Sequence, residues 1–89
     1  MDELICEHHV KVHTGEGITY LPSTHAARHN DGTWEAWLEF EPIDLGAPVL
    51  VTDRETTQST RYAVEEWARG LEATYFEGAF ERAHLARGH

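Results

Sequence analysis

The stretch TTQSTRYAVEEWARGLEATYFEGAFERAHLA, residues 56–86, constrains this chain more than any other part of it. At ~100° per residue, Val64, Trp67, Ala68, Leu71, Tyr75 and Ala79 fall on one stripe. That spacing predicts one long amphipathic helix over 56–86 with its stripe turned to a core. Thr56, Thr57 and Ser59 are its candidate N-caps, because a short hydroxyl side chain can accept from an unpaired N–H of the first turn. Gly70 and Gly78 each cost a helix about 1 kcal/mol relative to Ala. Gly78 lies near the stripe, where a missing side chain lets a helix approach a sheet closely. Gly70 lies off it, and the single-helix reading has no role for it.

Everything upstream reads as strands and turns. In LICEHHVKVH, residues 4–13, apolar and polar side chains alternate in part, which fits an edge strand or an equally plain frayed terminus over 1–14. Thr14-Gly15-Glu16-Gly17 is a turn signal. Ile18 to Leu21 are strand formers, and Pro22, which has no N–H to donate, marks an edge or a break. Asn30-Asp31-Gly32 is the strongest hairpin turn in the chain, since these residues tolerate tight-turn backbone angles. TWEAWLEFE, residues 33–41, follows as the best strand. Trp34, Ala36, Leu38 and Phe40 share one face, and Glu35, Trp37, Glu39 and Glu41 share the other. The segment from Pro42 to Pro48 is a loop, and Val49 to Thr52 is a short strand. The expected architecture is α+β: a three- or four-stranded antiparallel sheet over 15–55, packed on one long C-terminal helix, in a single domain spanning 1–89. One helix covers one sheet face, so the other face meets solvent or a partner.

Charge narrows the function. Asp and Glu number 16 against 7 Lys and Arg, a formal net charge of −9. Such a surface repels phosphates, so neither direct nucleic-acid binding nor an anionic membrane surface is expected. A basic protein partner is the easier fit. Cys6 is the only cysteine, so no internal disulfide can form. MDELICEHH has neither a basic nor an apolar signal region, and no apolar run approaches the ~20 residues of a membrane span. Cytoplasmic residence is the expectation.

Chemistry-bearing residues are present without a signature. Cys6, His8, His9, His13, His25 and His29 are metal-ligand types, but their spacing fits no structural zinc pattern and one Cys provides no C-x-x-C pair. No metal or cofactor is therefore expected, and metal binding by the N-terminal His and Cys is the alternative reading. Asp53-Arg54-Glu55 resembles an acid–base cluster but reads more simply as acidic residues beside a helix start. No nucleophile elbow, phosphate loop, zinc-protease or dinucleotide motif occurs, so a non-enzymatic module is expected. Two features lie outside the expected core. Trp37 stands on the outward face of its strand between Glu35 and Glu39. Phe76 and Phe80 fall ~120–160° from the helical stripe. Aromatic anchors dominate binding interfaces, so Trp37, Glu35, Glu39, Phe76 and Phe80 are the candidate partner-binding residues.

The run from Phe40-Glu41-Pro42-Ile43-Asp44-Leu45-Gly46, through Val49 to Thr52 and Thr56, to Tyr62-Ala63-Val64-Glu65-Glu66-Trp67-Ala68, resembles the N-terminal domain of HicB-like antitoxins. About half the chain carries the resemblance. It implies a sheet-plus-helix module that oligomerises and occludes a small basic ribonuclease; for this chain the expectation is a homodimer or a basic protein partner. Members of that family carry a further strand and a DNA-binding segment after the helix, which this sequence does not contain. Arg61 in the first helical turn also departs from the family pattern.

Overall fold

The computed structural model describes residues 2–87. Met1, Gly88 and His89 lie outside the described residues. The chain runs β1 (Asp2–Glu7), β2 (Val12–His13), β3 (Thr19–Arg28), β4 (Trp34–Pro42), β5 (Leu50–Val51), β6 (Thr56–Gln58), α1 (Arg61–Arg69) and α2 (Ala73–Arg87). The fold is α+β, an antiparallel sheet packed against C-terminal helices.

All six strands belong to one sheet, in which β3 and β4 form the central pair. They are paired from Tyr20 opposite Pro42 to Arg28 opposite Trp34. Asn30-Asp31-Gly32 closes this hairpin. The Gly32 N–H donates to the His29 carbonyl, and Gly32 has φ +90°, which no residue with a Cβ adopts cheaply. Asp31 Oδ1 accepts from both the Thr33 N–H and the Thr33 hydroxyl, which hold its pKa below the usual value.

Both edge rows are broken in two. Along β3, β1 pairs with Ser23–Ala27 and β2 with Thr19 and Tyr20. The gap falls opposite Leu21 and Pro22. The His8 N–H donates to the Pro22 carbonyl at 3.0 Å, so the main-chain polar groups of Pro22 face this edge. Its missing N–H is therefore missing on the side where the neighbouring row separates. The break expected at Pro22 thus lies in the row beside it, while β3 itself runs through. Along β4, β6 pairs with Trp34–Ala36 and β5 with Glu39 and Phe40. Buried Thr52 bridges that gap: its N–H donates to the Leu38 carbonyl and its hydroxyl accepts from the Leu38 N–H. Short, interrupted edges offer little to a stray strand.

The helical region departs from the single-helix expectation. Residues 56–58 are strand, paired with β4, and two helices follow. Neither Thr56, Thr57 nor Ser59 caps the first helix. Thr60 does so, with extended backbone and its Oγ1 accepting from the Ala63 N–H at 3.0 Å. Gly70 is the C-cap of α1, which supplies the role the single-helix reading lacked. After Leu71 and Glu72 the chain restarts with a new phase, and Phe76, Ala79 and Ala83 become the buried stripe of α2. Gly78 is not a point of close approach. A Cβ there would meet only Arg82 Nη1, at 3.7 Å.

The core lies on one side of the sheet in two patches. Val12, Tyr20, Leu38, Phe40 and Leu50 pack beneath Phe76, Ala79 and Ala83 of α2. Ala26 and Ala36 pack beneath Val64 of α1. Partly buried Trp67 touches both patches. The alternation in β4 runs as its sequence pattern requires: Ala36, Leu38 and Phe40 are fully buried beneath the helices. Glu35, Trp37 and Glu39 project from the opposite face.

Candidate functional site: the open sheet face

No helix covers this second face, and the strand register specifies its residues. Leu4 of β1 lies opposite His25 of β3, and His25 lies opposite Trp37 of β4. The rows on either side set Glu7 beside Ser23, Ser23 beside Glu39 and Glu39 beside Val51. Asp2, Ala27, Glu35 and Thr57 form the row beyond. Leu4, Leu21 and Val51 are each about half exposed on this face.

Trp37 is half-buried at its centre. Its Nε1–H donates to Glu39 Oε2 at 3.1 Å, and its ring stacks near-parallel to His25 at 6.5 Å. The His25 Nε2 in turn lies 3.5 Å from Glu39 Oε1. On the other side, His29 Nε2 lies 3.9 Å from Glu35 Oε1. Glu35, Trp37 and Glu39 project from the same face about 7 Å apart along the strand. The orientation of the indole is therefore held by its neighbours.

A groove of about 760 Å³ runs beside this centre, with Leu4, Leu21 and Ile43 as apolar walls and Glu7, Glu39 and Glu41 as acidic ones. Asp2, Glu7, Glu35, Glu39 and Glu41 thus all belong to one face, and Lys11 lines the groove beside them. Apolar exposure continues into the β4–β5 loop, where Ile43, Leu45 and Val49 are exposed. Sequence reasoning missed this apolar rim. Its signal was present in the unexplained Ile43 and Leu45 of a loop that needed no apolar residues.

Phe76 and Phe80 are a correction. Phe76 is 2% exposed and belongs to the core. Phe80 is partly buried, tilted against Tyr20 at 5.0 Å and edge-on to Phe40 at 5.3 Å. The break at Gly70 turns this side of the helix inward, so Phe76 and Phe80 offer no exposed aromatic patch on a helix back.

Ser23, His25 and Glu39 look at first like a hydrolytic triad. Ser23 Oγ lies 2.9 Å from His25 Nε2, the nitrogen that also faces Glu39. A relay needs the hydroxyl and the carboxylate on different ring nitrogens. Here the two compete for one, and the cluster works as a hydrogen-bonded brace for the Trp37 stack.

The metal-ligand types are dispersed. Cys6 Sγ is 3.9 Å from His8 Nδ1, while His8 Nε2 hydrogen-bonds Thr24 Oγ1 at 2.6 Å. His13 is held by Thr19, and His25 and His29 by open-face carboxylates. Among the described residues, no three of His, Cys, Asp or Glu converge on a metal-sized site. Glu55, in the sequence cluster Asp53-Arg54-Glu55, lies six residues before α1 and braces α2 instead. Its side chain is 8% exposed and accepts from the Tyr75 hydroxyl and from Arg82. Burial, reinforced by the bond to Glu55, pushes the Tyr75 pKa up to about 12.

No protein-family model, curated protein or solved structure matches this chain. No helix among the described residues is long and apolar enough to cross a membrane.

Proposed function

We propose that this protein is a small, cytoplasmic, non-enzymatic interaction module whose open sheet face binds a basic protein. The supporting observation is Trp37, half-buried between Glu35 and Glu39 on a face that carries three further carboxylates and an apolar rim. An oriented aromatic flanked by charge suits an interface anchor. Charge argues for a basic partner over face-to-face self-association, since a two-fold dimer would set this face on its own copy and oppose carboxylate to carboxylate. The resemblance to HicB-like antitoxins is consistent with this reading, as such modules occlude a small basic toxin.

A synthetic peptide of alternating arginine and leucine is a suitable probe. Titrated into isotopically labelled protein near pH 7.5, it is expected to shift amide resonances of β1, β3 and β4. Trp37→Ala, with its fold checked by the same spectra, is expected to weaken binding at least tenfold, as loss of an interface anchor does. Unchanged affinity in Trp37→Ala, or shifts confined to the helices, would overturn the reading. A dimer that Trp37→Ala returns to monomer would replace it with self-association.

A further inference from the structure

Each carboxylate that brackets Trp37 has a histidine beside it. His25 Nε2 lies 3.5 Å from Glu39, and His29 Nε2 lies 3.9 Å from Glu35. We propose that the open face is a proton-competed cation site: it docks an amphipathic segment bearing arginine beside apolar side chains, and weakens its hold on acidification. The inference rests on the interaction reading above and adds the chemistry of the partner and its control.

The argument is electrostatic. A neutral imidazole leaves the neighbouring carboxylate with its full charge for an incoming guanidinium. A protonated imidazole at the same distance is a competing cation already in place. Histidine is the side chain whose charge changes between about pH 5 and 8, whereas arginine stays charged throughout. Acidification therefore changes the face and leaves the partner unaltered. The other charged groups on the face are Asp2 and Glu7 of β1, His9 and Lys11 of the connection to β2, and Glu41 of β4, and Asp31 of the β3–β4 turn lies within electrostatic reach of His29. β5 contributes Val51 and no charge. Of all these groups, His25 and His29 are the ones set directly against the carboxylates flanking the anchor. The apolar requirement comes from Leu4, Leu21 and Ile43 along the groove. Both ion pairs are partly exposed, and each contributes modestly.

The test compares the arginine–leucine peptide at about pH 7.5 and pH 5.5 and constant ionic strength, on wild type and on His25→Gln/His29→Gln. Wild-type affinity is expected to fall about tenfold at the lower pH, and that of the double variant by no more than about threefold. Amide spectra at both values show that each protein is folded. Equal affinity at both pH values, or the same fall in the double variant, would overturn the proposal and leave the interaction reading standing. Failure to bind at pH 7.5 would overturn both.

Discussion

His8 is the residue where the N-terminal segment meets the core. It leaves the edge row opposite Pro22 and turns its ring onto Phe76, with centroids 4.6 Å apart. Its Nε2 reaches Thr24, which is 0% exposed. Burial, with His9 adding to it, holds the His8 pKa below 6.5. Above that value the imidazole is neutral in folded and unfolded chains alike. As pH falls below it, the unfolded chain takes up the proton first, so stability is lost on acidification. Chemical unfolding at about pH 7.5 and pH 5.5 should show this loss, and His8→Gln should show less of it. An identical pH dependence in His8→Gln would mean that the ring is not buried neutral. The sequence showed His8 as one histidine among seven. Only packing against a phenylalanine 68 positions away distinguishes it.

The helical elements show how a local signal can carry the wrong phase. The apolar stripe of residues 56–86 is real, and Ala79 is buried with Leu71 and Tyr75 packed against the core as read, but a 3.6-residue period continued across Gly70 misplaces Phe76 and Phe80. Val64 and Ala68 are buried as read, whereas the α2 stripe is set anew by the turn at Leu71 and Glu72. Two substitutions in α2 have opposite expected signs. Phe76→Ala removes a fully buried ring and should cost about 3–5 kcal/mol in urea unfolding. Gly78→Ala should stabilise by about 0.5–1 kcal/mol, since the added methyl meets only the end of a flexible arginine. Destabilisation by Gly78→Ala would restore the close-approach reading. Near-neutrality of Phe76→Ala would return that ring to the helix surface. The Asn30-Asp31-Gly32 turn and the β4 alternation were legible because both signals are local. The breaks in the edge rows were not, because they depend on which strand lies alongside.

At the scale of the molecule, the two core patches share one side of the sheet, and Trp67 is the joint between them. Its ring stands edge-on to Tyr75 at 6.0 Å, and the Tyr75 hydroxyl continues the connection to the partly buried Glu55. Arg61 adds a pair to Glu3 at 3.1 Å that ties α1 to the edge strand. A domain of this size has only about 5–13 kcal/mol of stability. Trp67→Ala should therefore be felt throughout, costing about 3 kcal/mol. A loss below about 0.5 kcal/mol, measured by denaturant unfolding, would show that the two patches stand independently. The same one-sided packing leaves the open face uncovered, with Trp37, its carboxylates and the apolar rim displayed together.

The sequence by itself determined the α+β class, the central hairpin and the inward and outward faces of β4. These follow from turn chemistry and from a side-chain period of two, neither of which requires knowledge of distant residues. It also marked Trp37, Glu35 and Glu39 as residues the core does not claim. Tertiary structure decided the rest: where the helical region divides, that Phe76 belongs inside, and which histidines stand against which carboxylates. Each of those depends on contacts between residues far apart in the chain, where strand register and helix phase set distances that no local spacing records.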